Sequence, residues 1–438
     1  MMQLGHIWSR ALGMFALVLA GELIFGLPFH LPRYFRPTLL EVFGLSHGDY
    51  GDIFAAYGIA ALLSYGPGGP IADCYPARKL MGLSLFMTAA GGLYLLTIPG
   101  QLGMVVLYAF WGVTSILLFW AALIRATREW GGRLAQGRGF GLLDAGRGAV
   151  AGVVAGVGVV VLRTALGADP FLADVAAKSS GLKQLILLYT VATALAGVVA
   201  WHWVPESDPA ELAPRRSAWS QIRGVAGISA VWQQAIVVVC AYCAYKGLDH
   251  FSVFAVDVLG MHQANAAAFA TVTVWIRPVA ALLAGGAGDQ VGAARSVLVL
   301  FAASVASWGM LAALDAGAQV PIYASIAVTC LAAFGFRGLY FALLEQSRTP
   351  RHRTGAAVGL ISLAGYSPDI FFGPVSGRML DSTPGVGGYR HVFLLLVCTS
   401  VAGLATSGWL HLRFGRKSSP NGPPERINAR PGRGDRPA

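Results

Sequence analysis

The 438-residue chain is 55% hydrophobic and only 12% charged, with a mean hydropathy of +0.61. Soluble domains carry about 25% charged residues, so a water-soluble globule of this composition would expose large apolar patches, and a bilayer is the expected solvent. The formal charge of +11 does not point to nucleic acid, because the basic residues stand in short segments between apolar runs rather than on one face.

Taken in order, apolar runs lie near 11–30, 48–71, 80–98, 103–124, 139–162, 184–204, 228–256, 264–287, 296–315, 320–344, 355–380 and 390–412. Each approaches the roughly 20 residues that a helix needs to cross a bilayer. They predict an all-α membrane protein of twelve transmembrane helices, six in each half. The stretch from Met1 to Phe29 holds Glu22 inside its apolar run and reads as a retained first helix rather than a cleaved signal. The expected organisation is a first bundle over 1–204, a linker over 205–227 containing Pro205, Pro209 and Pro214, a second bundle over 228–412, and a basic tail over 413–438. The tail's Pro, Gly and Arg content predicts disorder.

Lys and Arg placement sets the orientation. With the N-terminus inside, 21 fall in cytoplasmic segments and seven in outer ones, Arg33 and Arg36 among the seven. Both termini are therefore expected in the cytoplasm.

Between the second and third runs lies Gly69-Pro70-Ile71-Ala72-Asp73-Cys74-Tyr75-Pro76-Ala77-Arg78-Lys79. A Gly precedes an Asp by four positions, and two basic residues follow. The spacing returns as Gly285 and Asp289, with Gly292 at the turn and Arg295 beyond it, an offset of 216 residues. Gly139 and Gly355, preceded by Arg138 and Arg353, stand at the same offset of 216. Two features at one offset imply a duplicated architecture.

The repeated loop resembles the signature of the major facilitator superfamily. That resemblance implies a secondary transporter rather than an enzyme: two bundles exposing a midplane site alternately to each side of the plasma or inner membrane. It implies a small-molecule substrate, no cofactor, protons as candidate coupling ions, and a monomer embedded in lipid. It also implies that Asp73 with Arg78 and Lys79, and Asp289 with Arg295, act as a cytoplasmic gate.

A charge inside hydrocarbon costs about 3 kcal/mol or more, so intramembrane charges mark a cavity or a pair. Glu22, Lys246, Asp249, Arg277, Arg337 and Asp369 all lie inside apolar runs. The superfamily's cavity is lined mainly by the first, fourth, seventh and tenth helices, which by resemblance makes Glu22, Lys246, Asp249 and Arg337 cavity candidates. Glu22 has no basic neighbour on its own helix and is the first candidate for a titratable coupling carboxyl; Asp369 is the second. The structural alternatives are that Lys246 and Asp249 only neutralise each other and that Arg277 and Asp369 pair between helices; Asp144 is expected to pair with Arg147, which follows three positions later on the same helix face. Arg277 and Arg337 stay charged at any working pH and can grip a carboxylate or phosphate bidentately. This favours an organic anion as substrate.

The Trp-rich end of the fourth helix, with Arg125, and the Gly-Arg-rich entry to the fifth are similar to bacterial organic-anion and organophosphate-type members. The fifth helix has Gly148, Gly152 and Gly156 at spacings that let helices approach, but not the Gly-Pro motif of drug–proton antiporters. A neutral-solute carrier or drug exporter is the rival reading. A lipid-modifying enzyme is the rival from another class. The missing Gly-x-x-x-x-Gly-Lys-Ser/Thr phosphate loop argues against an ATP-driven pump; against the enzyme, no nucleophile–base pair is evident, and the chain has no His-Glu-x-x-His, zinc cysteine quartet or Gly-x-Ser-x-Gly elbow. Cys240 and Cys243 are expected to pack in a helix rather than hold a metal, and no metal site is expected.

Overall fold

A computed structural model describes residues 2–131, 136–167, 173–205, 225–315, 317–339 and 354–414. The described residues form twelve helical rods, which we number α1 to α12. In the first half, α1 comprises Met2–Leu23, Gly26–His30 and Leu31–Phe43; α2 is His47–Cys74; α3 is Ala77–Leu95; α4 comprises Gln101–Val113, Thr114–Trp120 and Ala121–Gly131; α5 is Gln136–Leu166; and α6 is Val175–Trp203. In the second half, α7 comprises Ser229–Gly247, Leu248–His250 and Phe251–Asp257; α8 comprises Gln263–Val274 and Ile276–Val291; α9 is Ala293–Ala313; α10 is Gln319–Leu339; α11 comprises Thr354–Gly365 and Pro368–Ser382; and α12 is Val386–Phe414. Eight of these are long and apolar enough to cross a membrane by themselves, and α1 makes a ninth if its two arms, bent by 42°, count as one span. Leu63, Leu102, Leu282 and Val320 are each more than 70% exposed on the outside of the rods, as expected for faces that meet lipid rather than water.

Local chemistry sets the rod ends. Gly44 ends α1 in the left-handed conformation at φ +64, where a side chain would be strained. Ser46 and Asp49 then form a reciprocal capping box at the start of α2. Asp174 caps α6 by accepting from the Ala177 amide at 2.7 Å. Gly292 makes the turn between α8 and α9 with φ +92, as its place in the second motif copy predicts. The breaks in α8 and α11 fall beside Pro278 and Pro368, whose rings cannot continue a helix unbroken.

The halves meet along α2 against α11, α5 against α8, and α1 against α7 and α8. The first two pairings exchange under the 216-residue repeat, so the interface has approximate two-fold symmetry. We call the end where α2 turns into α3 the motif end, and the opposite end the far end. Glycines allow the close approach of α2 to α11. A Cβ on Gly51 would stand 2.4 Å from the Gly373 carbonyl oxygen, and one on Gly377 would stand 2.3 Å from the His47 carbonyl oxygen. On α5, a Cβ on Gly152 would reach Trp275 at 2.6 Å and one on Gly148 would touch Arg277 at 3.3 Å, whereas Gly156 faces open space.

Two expectations need correction. The first apolar run ends near residue 30, yet α1 continues to Phe43. Arg33 and Arg36, read as outer-loop residues, are 5% and 3% exposed. Partners across the half-interface let a helix carry them, and hydropathy does not register such partners. The centre of the linker at 206–224 and the tail from 415 lie outside the described residues, as do the side chains of Arg138, Asp289 and Arg353.

Candidate functional site

Between the halves, at mid-height, lies a cavity whose empty space, its open mouth included, is roughly 750 Å³. Its charged lining comes from both halves: Glu22 on α1, Arg147 on α5, Arg277 on α8, Arg337 on α10 and Asp369 on α11. Aromatic rings fill much of the remaining wall. Tyr57, Tyr65, Trp120, Tyr242, Tyr245 and Tyr366 line it. Trp111 packs inside the first half and donates to the Thr88 carbonyl at 3.0 Å, and Trp275 is 47% exposed.

Glu22 is not an isolated carboxyl. Its Oε2 accepts from Arg147 Nε at 2.8 Å, and its Oε1 from Arg277 Nη1 at 3.1 Å and lies 3.2 Å from His30 Nε2. Arg277 also donates from Nη2 to Asp144 Oδ1 at 2.5 Å. The alternative Arg277–Asp369 pair and the expected Asp144–Arg147 pair are therefore not formed. Asp144 and Arg147 occupy one face of α5, but each finds a better-placed opposite charge on another helix. Arg277 crosses from the second half to do this, so Glu22, Asp144, Arg147 and Arg277 bind the halves together at the cavity wall.

The second cluster is centred on Lys246. Its Nζ lies 2.8 Å from Asp249 Oδ2, 3.6 Å from Asp369 Oδ1 and 3.8 Å from the centre of the Phe54 ring. Lys246 and Asp249 do pair, but not only with each other. Asp249 also accepts from Arg33 Nε at 2.5 Å, and Asp369 accepts from the Tyr242 hydroxyl at 3.1 Å. Arg33 donates to the Tyr245 hydroxyl at 2.7 Å. The Tyr245 ring lies 4.4 Å from the Arg33 guanidinium carbon and 4.8 Å from that of Arg337, a cation–π arrangement.

Polar contacts between the halves gather at the far end. Thr38 donates to Gln263 at 2.7 Å, and Gln263 donates to Glu41 at 2.6 Å. Asp381 accepts from the His47 and Gly48 amides at 3.0 and 2.7 Å. Arg378 reaches Asp52 at 2.9 Å.

At the motif end, Gly69 and Asp73 lie on the last turns of α2, Arg78 and Lys79 on the first turn of α3, Gly285 near the end of α8, and Arg295 at the start of α9. Arg125 on α4 donates to the Ala72 carbonyl at 2.8 Å and to Glu129 at 2.7 Å, fastening α4 to the end of α2. Among the described residues, a Cβ on Gly69 or Gly285 would meet no atom within 4 Å.

His30, Arg33 and Arg36 are site residues that the hydropathy reading missed. Their signal was the repeat itself: adding 216 to 30 and 33 gives Lys246 and Asp249. His30 closes a π-helical turn over Gly26–His30, a local widening of the helix that is frequent at functional positions.

The family model described as Major Facilitator Superfamily matches residues 18–373. The inner membrane protein YqcE of Escherichia coli is 27% identical over 379 residues, covering 84% of this chain and 86% of the relative. The inner membrane protein YihN of Escherichia coli is 26% identical over 414 residues, covering 92% and 95%. A solved structure of a mutant of the nucleoside transporter NupG superposes with a TM-score of 0.73 at 11% identity, covering 92% of this chain and 99% of that one.

Proposed function

The chain belongs to the Major Facilitator Superfamily, as a multi-pass membrane transporter rather than an enzyme, and we propose that its cargo is a small organic anion held in the cavity between the halves. The observation that carries this reading is the trio of guanidiniums on the cavity wall, Arg147, Arg277 and Arg337, drawn from both halves. A guanidinium grips a carboxylate or phosphate with paired donors. An anion that competes with Glu22 or Asp144 for Arg277 would loosen a tie between the halves, and so couple binding to movement.

The halves over 1–204 and 228–412 rock about the cavity. The motif end faces the cytoplasm; the Lys and Arg distribution supports this, and the burial of Arg33 and Arg36 removes two of the seven residues that counted against it. The far-end contacts then close the outer side, and the lack of a described neighbour against Gly69 and Gly285 fits a state whose inner side is parted. Asp369, which faces the cavity and is held by a tyrosine hydroxyl and a lysine rather than a guanidinium, is the proton-coupling carboxyl in this scheme.

The test is thermal unfolding of the purified protein with carboxylates, sugar phosphates, neutral sugars and lipophilic cations. A ligand at 100 times its Kd stabilises by about 2.7 kcal/mol. Stabilisation by anions that is lost in Arg277→Gln and Arg337→Gln supports the proposal. Stabilisation by neutral or cationic compounds alone, unchanged in those variants, refutes it.

A further inference from the structure

Resting on the organic-anion reading above, we infer that the cavity selects a flat aromatic ring bearing a single carboxylate. Two observations combine. With Asp369 ionised, the side chains lining the cavity carry one net positive charge, since Arg147, Arg277 and Arg337 stand against Glu22 and Asp369. One anionic group on the cargo balances that excess; a doubly charged phosphate ester would overshoot it.

The second observation concerns the tyrosines. Eight of the eighteen lining residues are Phe, Tyr or Trp, a wall suited to a ring. A sugar ring and an aromatic ring both pack on such faces, but a sugar also needs hydrogen-bond partners for its hydroxyls. Three of the five lining tyrosine hydroxyls are already bonded within the protein. Tyr57 bonds Ser115 at 2.7 Å, Tyr242 donates to Asp369 at 3.1 Å, and Tyr245 accepts from Arg33 at 2.7 Å. These residues therefore offer ring faces rather than polar tips. Tyr65 and Tyr366, one from each half, add two near-parallel rings with centroids 6.1 Å apart and planes at 10°. An apolar ring makes use of such faces, and a polyhydroxylated one is left with unsatisfied groups.

Arg337 directs the charged end. Its guanidinium lies 4.8 Å from the centre of the Tyr245 ring, so a carboxylate meeting it places the attached ring among the tyrosines.

Isothermal titration of the detergent-solubilised full chain with 2-naphthoate, 2-naphthamide, cyclohexanecarboxylate and glucose 6-phosphate tests this. Naphthoate is expected to bind at least about tenfold more tightly than cyclohexanecarboxylate, the margin that aromatic contacts supply beyond buried area, and more tightly than the other two. Arg337→Gln should weaken naphthoate by about tenfold or more, as loss of a hydrogen bond to a charged group does. Tyr366→Leu should erase the preference for naphthoate over cyclohexanecarboxylate; Tyr65→Leu serves the same purpose if Tyr366→Leu does not keep the parent's ligand-free unfolding temperature. Equal or tighter binding of cyclohexanecarboxylate or glucose 6-phosphate overturns the ring inference and leaves the anion reading standing. Equal binding of naphthamide overturns both. Binding of none of the four overturns the ring inference.

Discussion

Arg33 donates to Asp249 at 2.5 Å, and the two residues stand 216 positions apart, the same offset that separates Gly69 from Gly285. They are equivalent positions in the two halves, so their contact lies near the axis that relates those halves. His30 and Lys246, the preceding equivalent pair, flank the same axis. Identical residues meeting there would bring like charges together; Arg in one half and Asp in the other turn the meeting into an attraction. The pair is 5% and 19% exposed, and leaving one buried charge without its partner costs about 3 kcal/mol or more. Asp249→Asn should lower stability by about that much and Arg33→Gln by less, because Lys246 stays 2.8 Å from Asp249, while the double variant should cost clearly less than their sum. Chemical or thermal unfolding of the four proteins measures the coupling.

Closure of the far end depends on backbone contact. A Cβ on Gly58 would lie 2.6 Å from the Asp369 carbonyl carbon, a position no side chain can share. Gly58→Leu should therefore hold α2 away from α11 and favour the state open at the far end. Reaction of Ser376→Cys with a membrane-impermeant maleimide reports this, because Ser376 is fully buried in the closed arrangement. Labelling should rise severalfold in the Gly58→Leu background.

The motif glycines behave oppositely. Open space surrounds Gly69 and Gly285 among the described residues, so the small residue is not needed for packing in this state. Gly69→Leu should leave the stability of this state within about 1 kcal/mol, the ordinary range for a surface helix change, yet slow transport by obstructing the state in which the motif end closes. Unchanged unfolding with reduced uptake is the expected combination.

Glu22 and Asp369 should separate in their effects. Glu22 lies between Arg147 and Arg277, and Glu22→Gln would leave the buried Arg147 without its carboxylate while Arg277 keeps only Asp144. It should be destabilising by about 3–5 kcal/mol. Asp369 has Lys246 at 3.6 Å as its charged contact. Asp369→Asn should unfold near the parent temperature, lose uptake driven by a proton gradient, and retain exchange of labelled for unlabelled substrate.

Much of this arrangement was legible in the sequence. The motif spacing gave the repeat, the apolar runs gave the rods, and the cost of charge in hydrocarbon singled out six residues, of which Glu22, Arg277, Arg337 and Asp369 line the cavity, whereas Lys246 and Asp249, expected there by resemblance, sit beside it. Pairing was not legible. Asp144 and Arg147 look like partners because they are three residues apart, but α1 and α8 bring Glu22 and Arg277 against them. Arg33 and Arg36 were read as a loop because a hydropathy window scores each charge alone and is blind to Asp249 and the Tyr50 ring, the latter 4.8 Å from Arg36. The repeat offset, applied residue by residue, was the signal that joined position 33 to position 249.

The most direct test of the central claim needs no prior choice of substrate. Proteoliposomes carrying the protein are incubated with a mixed pool of small metabolites, and their contents are compared by mass spectrometry with those of proteoliposomes carrying Arg277→Gln or Arg337→Gln. The account predicts that compounds accumulated only by the parent protein are organic anions, and that either substitution abolishes their accumulation. Selective accumulation of neutral or cationic compounds, equally by parent and variants, would contradict it.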